Sequence, residues 1–158
     1  MTMTGSKLTA LALLAGSFVF VQLPLGCDAG SGPDLAAGEI SAPEAWRRAQ
    51  QGEMTIVDVR TRREWRQTGV AAGAREISMQ HPQGVEGFVG EVLAAVDGDR
   101  SAPLGLICRT GNRSGQVQRV LRNQGFAQVY NISEGMAGSR AGPGWLRRDL
   151  PVEACQRC

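Results

Sequence analysis

The sequence predicts one α/β domain built on a mostly parallel sheet. Two observations carry this. Short apolar runs rich in β-formers alternate with segments whose apolar residues recur at helical spacing. Two of those runs end in polar clusters, Asp58-Val59-Arg60 and Cys108 to Arg113. In open parallel sheets, functional groups gather beyond the carboxyl ends of the strands.

The elements follow in order. Ser41-Ala42-Pro43-Glu44 has the form of a capping box with proline in the first turn, and it opens a helix that runs to Gln51 and stops at Gly52. Met54 to Val59 is a buried strand. Arg62 to Gln67 is a short helix halted by Gly69, with Glu64 placed four residues after Arg60 as its expected partner. Ala74 to Ser78 is a second short strand. Val85 to Val96 sets Val85, Phe88, Val89, Val92, Leu93 and Val96 on one helical face. Leu104 to Ile107 is a buried strand. Ser114 to Asn123 is a helix with Val117, Val120 and Leu121 inward and Gly125 past its end. Val129 to Ile132 is the last strand.

A chain of 158 residues suits one domain, and a net charge of +2 argues against nucleic acid as a main partner. The N-terminus differs in composition. Lys7 precedes an apolar, uncharged run from Leu8 to Leu25, which reads as a secretory signal or, at the lower edge of spanning length, a membrane anchor. Gly26-Cys27 resembles the end of a bacterial lipobox, in which the cysteine is lipidated. Pro24 stands where that pattern has leucine. The expected division is residues 1–27 as signal or lipoprotein anchor and 28–39 as a flexible Gly/Ala/Ser/Pro linker. A domain over 40–153 and a Cys-x-x-Cys tail over 154–158 complete it. The expected location is exported, in the periplasm, with membrane anchoring through the N-terminus.

The run Cys108-Arg109-Thr110-Gly111-Asn112-Arg113-Ser114 carries the chemistry. A cysteine ends a buried strand, and a tight loop leads into a helix N-terminus. Curled loops and helix N-termini point free N–H groups inward and stabilise an anion, here a thiolate. Arg109 and Arg113 add positive charge, and Gly111 permits a backbone conformation closed to most residues.

Residues 40 to 153 resemble the rhodanese family. The matching pieces are Ile56-Val57-Asp58-Val59-Arg60 with Glu64-Trp65, Gly69 to Ser78, the six-residue loop Cys108 to Arg113, Glu134-Gly135-Met136, and Trp145 with Leu150-Pro151-Val152-Glu153. Val70 replaces the family's histidine, and Ala137 to Gly144 is longer and richer in glycine than usual. The resemblance implies a five-stranded sheet with helices on both faces. It implies that Cys108 takes a sulfane sulfur as a persulfide from a donor such as thiosulfate and passes it to a thiol. Arg109, Thr110, Gly111, Asn112, Arg113 and Ser114 would bind the substrate, with no cofactor and no metal. The alternative is a non-catalytic sulfur carrier or protein-binding module. Related phosphatases need five residues between cysteine and arginine, whereas four separate Cys108 from Arg113, too small a loop for a phosphate ester.

The remaining candidates have plainer readings. Asp58 and Arg60 form a structural ion pair near the site. His81 is a solvated loop residue, and Trp46, Trp65 and Trp145 are packing residues. Cys155 and Cys158 have the spacing of a zinc half-site, a redox pair or a disulfide. No second metal-binding pair accompanies them, and oxidation is the default in an exported chain. The functional alternative is a resolving thiol that attacks the Cys108 persulfide.

Overall fold

The computed structural model describes residues 37–158. The expected signal, the expected lipidation site Cys27 and most of the expected linker lie outside the described residues. Among the described residues, no helix is long and apolar enough to cross a membrane.

The elements are β1 (Glu39–Ile40), α1 (Ala42–Gln50), β2 (Thr55–Asp58), α2 (Arg62–Thr68), β3 (Val70–Ala71) and β4 (Arg75–Glu76), followed by α3 (Gly84–Ala94), β5 (Leu104–Ile107), α4 (Asn112–Asn123), β6 (Val129–Ile132), a 3-10 turn (Leu146–Arg148) and β7 (Val152–Glu153). Five strands form one parallel sheet in the order β1-β6-β5-β2-β4. The fold is therefore the expected α/β sheet, and each of its pairs is parallel. β3 and β7 form a separate antiparallel pair, which the strand patterns did not announce.

Both faces of the sheet are covered. Val57, Leu104, Leu106 and Val129 pack with Phe88, Val89 and Val92 of α3 and with Val117 and Leu121 of α4. Ile56, Ile107 and Ile132 face the other way, against Ala42 and Ala45 of α1, Met136 and Trp145. Neighbouring positions such as Ile56 and Val57 thus serve opposite cores, as the two-residue period of a strand demands. Such doubly buried strands read as continuous apolar runs. Trp65 and Trp145 are buried, and Trp46 packs edge-on to Trp145 at 5.9 Å.

Several expectations change in detail. Glu39, placed at the end of the linker, pairs with Asn131 in β1. The strand expected over 74–78 shrinks to Arg75–Glu76. Val85 is exposed, in the first turn of α3, and burial on this helix begins only at Phe88. On α4 the buried face holds Ser114 and Gln118 with Val117 and Leu121, while Val120 is half-exposed. Ser41 caps α1 by accepting from Glu44 N at 3.3 Å, but the Glu44 carboxylate turns to Arg47 and Arg48. The reciprocal capping box belongs to Thr61 and Glu64 at the start of α2.

Candidate active site

β2 and β5 lie side by side in register, Asp58 opposite Ile107, so both polar clusters emerge at the same carboxyl edge of the sheet. Cys108 follows β5 directly and is fully buried. Its carbonyl accepts from Met136 N at 2.8 Å, and the Arg109 carbonyl accepts from Ala137 N at 2.9 Å. The Gly135-Met136 turn therefore clamps the base of the loop.

The loop then folds back over the sulfur. Gly111 caps α4 in the left-handed conformation, φ 85°, and its N–H donates to Cys108 Sγ at 3.2 Å. A Cβ on Gly111 would lie 2.2 Å from the Ser133 carbonyl oxygen, so this residue must be glycine for space as well as for torsion. Ser114 Oγ, in the first turn of α4, lies 3.2 Å from Sγ. Its single proton also has Asn131 Oδ1 at 2.7 Å and the Gly111 carbonyl at 3.1 Å within reach. Negative charge on the sulfur would draw that proton toward it. The sulfur thus meets one backbone and one hydroxyl donor at the N-terminus of a three-turn helix, a setting that favours an anion.

The two loop arginines have different surroundings. Arg113 is gripped by Glu64 at 2.8 and 2.5 Å, and this pair pulls the Glu64 carboxyl down to about 2. Glu64 thus partners Arg113 rather than Arg60, and its charge offsets that of Arg113. Arg109 is exposed. Thr110 is half-buried and Asn112 exposed, at the rim of a shallow cleft that Ser133, Ser139 and Arg140 also line.

Asp58 and Arg60 form a buried ion pair. Arg60 Nε donates to Asp58 at 2.9 and 3.0 Å and Nη2 at 2.7 Å. The rest of the guanidinium donates to Thr68 Oγ1 at 2.8 Å and to the Gly69 carbonyl at 2.7 Å. This ties the end of β2 to the end of α2 and commits most of the guanidinium's donors to the protein itself. Glu134 is a buried carboxylate that sequence reasoning missed. It accepts from Ala42 N at 3.2 Å, Gly144 N at 3.0 Å and Arg148 Nε at 2.7 Å. Burial raises its pKa, but those donors outweigh it and the net shift is downward. His81 Nδ1 accepts from Gln83 N at 3.1 Å and Nε2 lies 3.5 Å from Glu91, so it is held in place rather than freely solvated. Cys155 and Cys158 are joined as a disulfide, and Cys108 is the free cysteine of the described residues.

Comparison with known proteins finds relatives in sequence and solved structures with a similar fold. The "Uncharacterized protein RC0915" of Rickettsia conorii is 33% identical over 98 residues, 61% of this chain and 80% of its own length. Among solved structures, the polysulfide-sulfur transferase homodimer from Wolinella succinogenes is 25% identical. That match covers 75% of this chain and 80% of its own, with a TM-score of 0.55. Rv0390 from M. tuberculosis is 26% identical, covering 77% of this chain and all of its own, with a TM-score of 0.57. Residues 41–141 match the family model of the rhodanese-like domain. With a parallel five-stranded sheet, a cysteine at the end of its central strand and that match over most of the chain, this protein belongs to the rhodanese-like family.

Proposed function

We propose that the chain is a sulfurtransferase that carries sulfane sulfur as a persulfide on Cys108. The observation that carries this is the pair of donors on the sulfur, Gly111 N and Ser114 Oγ, each at 3.2 Å. The Cys108 thiolate attacks the outer sulfur of thiosulfate or of a persulfide donor. The donor's S–S bond breaks, and sulfite or a thiolate leaves. A thiol then attacks the outer sulfur of the Cys108 persulfide and takes it away. This is covalent catalysis in two halves, with ping-pong kinetics. The loop donors hold the negative charge of the persulfide between them. Arg109, the exposed loop arginine, attracts an anionic donor, while Arg113, tied to Glu64, shapes the loop.

The complete burial of Cys108 favours a second reading, a carrier or protein-binding module that accepts sulfur from a partner and turns over slowly. Turnover with thiosulfate and cyanide separates the two. Cys108→Ser should abolish it while leaving the melting temperature close to that of the native chain. Residual activity above a few per cent would remove Cys108 from the mechanism.

The chain is further read as exported through residues 1–27, with Cys27 lipidated. The apolar run, the Gly26-Cys27 pair and a disulfide suited to an oxidising compartment support this. Cys27→Ala should then move the protein from the membrane fraction to the soluble periplasm. Recovery of the unprocessed chain from cytoplasm alone would refute export.

A further inference from the structure

The cleft beside the sulfur loop has features that sulfur transfer alone leaves unused. Its volume, about 490 Å³, lies in the range of small-molecule sites. Part of its lining is the loop itself, Thr110 to Asn112, where α4 starts. Gly111, which donates its N–H to Cys108 Sγ, belongs to that lining. So does Asn131, whose Oδ1 holds the Ser114 hydroxyl beside the same sulfur. Ser139 to Ala141 line it as well, inside the glycine-rich segment by which this chain departs from the family pattern. That segment is tied down. Ser139 Oγ donates to the Ser133 carbonyl at 2.8 Å, Ala141 N donates to Ser139 Oγ at 3.0 Å, and Gly144 N donates to the buried Glu134 carboxylate at 3.0 Å. A Cβ on Gly138 would lie 2.5 Å from the Pro143 carbonyl oxygen, so the turn that carries Arg140 closes only on glycine.

Two kinds of group in this cleft lack a partner. The first is polar and buried. Ser133 is 7% exposed and lines the cleft, and its Oγ makes no hydrogen bond among the described residues. A buried hydroxyl left unpaired costs free energy, so a ligand that reaches it is favoured. The second is charged. Glu39, on the edge strand β1, and Arg140 are the two charged residues of the lining, and among the described residues neither forms an ion pair. The first N–H groups of α4 add partial positive charge on the loop side. A simple anion would be opposed by Glu39 and a simple cation by Arg140. A ligand that carries both charges, the ammonium and carboxylate of an α-amino acid, matches the two.

We infer that this cleft binds the α-amino-acid head group of a small thiol, and so selects the thiol that takes sulfur from Cys108. Arg140 and the α4 N-terminus take the carboxylate, Glu39 takes the ammonium group, and Ser133 Oγ gains the partner it lacks. The selection of an acceptor rests on the persulfide reading above. The bound molecule, as thiolate, attacks the outer sulfur of the Cys108 persulfide. The S–S bond breaks, Cys108 leaves as thiolate, and the acceptor departs as a persulfide, so no outside oxidant or reductant is consumed. Arg140 and Glu39 set specificity without touching the sulfur that moves.

Two measurements on the full chain test this. In the first, persulfide-loaded protein is mixed with excess L-cysteine, cysteamine or 3-mercaptopropionate, and loss of the persulfide is compared per thiolate. L-cysteine carries both charges and the other two carry one each. It should take the sulfur about tenfold faster or more than either, the scale of a hydrogen bond to a charged group. Arg140→Gln should bring L-cysteine down to the rate of cysteamine, and Glu39→Gln to that of 3-mercaptopropionate. These are ratios within one protein, so a folding defect does not mimic them. Equal rates with the three thiols, or a preference for L-cysteine untouched by both substitutions, would overturn the inference and leave the persulfide reading standing. In the second, Cys108→Ser protein is titrated with S-methyl-L-cysteine, which keeps the head group and has no thiol to exchange with the Cys155–Cys158 disulfide. The amide resonances of Ser133 and Arg140 should shift, and that of Ser133 should stay still in protein that also carries Arg140→Gln. Unmoved resonances in the Cys108→Ser protein would overturn the cleft as a site. Shifts there, with no persulfide formed on the native chain by any donor, would keep the site and refute the persulfide reading instead.

Discussion

Asp58 offers the sharpest test of what holds the site in place. Replacing it with alanine removes three of the five side-chain contacts of Arg60, those at 2.7, 2.9 and 3.0 Å, and leaves the guanidinium buried with Thr68 Oγ1 and the Gly69 carbonyl. Orphaning one partner of a buried pair costs about 3–5 kcal/mol. The two surviving acceptors place Asp58→Ala at the lower end, about 3 kcal/mol. For a domain of this size that lowers Tm by about 10–15 °C. Thermal unfolding followed by circular dichroism measures the loss, and sulfur transfer per folded molecule, at a temperature well below the new Tm, measures function. Replacing both residues by apolar ones of similar size, Asp58→Leu with Arg60→Met, should recover most of the stability. A loss under about 1 kcal/mol would refute the argument that this pair ties β2 to α2. A tenfold fall in transfer per folded molecule would make Asp58 part of the chemistry.

Other perturbations separate the parts of the loop. The Glu64 carboxyl, held at about 2 by Arg113, contributes stability that is full above the ordinary carboxylate range and is lost as pH falls toward 2. Glu64→Gln should therefore be less stable than the native chain at neutral pH, by under about 1 kcal/mol because both groups meet solvent, and the gap should close in acid. A gap that persists unchanged at pH 2 would contradict this. Gly111→Ala, whose Cβ would meet the Ser133 carbonyl at 2.2 Å, should cut transfer by about tenfold or more, and an unaffected rate would show that the loop works in another shape. Arg109→Ala should impair thiosulfate more than a neutral persulfide donor, since the other loop arginine is already offset by Glu64. Equal losses with both donors would assign Arg109 to the fold.

The cores of the strands and the cysteine loop were legible because each is a local pattern. Leu104–Ile107 and Val129–Ile132 were read to the residue, as apolar runs bounded by polar clusters. β1 and β3 escaped because two residues show no period, and their partners lie far along the chain. The Glu64 pairing went astray for a similar reason. The i, i+4 rule offered Arg60, but Arg60 sits before the helix and turns back to Asp58, while the charge that Glu64 meets is 49 residues away. The helical spacing of Val117, Val120 and Leu121 points all three inward, whereas the buried face of α4 carries Ser114 and Gln118 with Val117 and Leu121. The Ser114 and Gln118 side chains satisfy Cys108 and the carbonyls of Gly38 and Val129.

The pairing of β1 with β6 bears on how the domain comes into being. Glu39 and Ile40 find their partners at Asn131 and Ile132, and Ala42 N finds Glu134 across 92 residues. β2 finds one neighbour early, in β4, but its other neighbour, β5, follows only at Leu104. During synthesis the first strand of the domain therefore leaves the ribosome with nothing to dock against until nearly all the others have followed. Chains truncated before Ser133 should remain unfolded, and refolding should be slow for a domain of this size, because the distant contacts reward the chain only after long loops have closed.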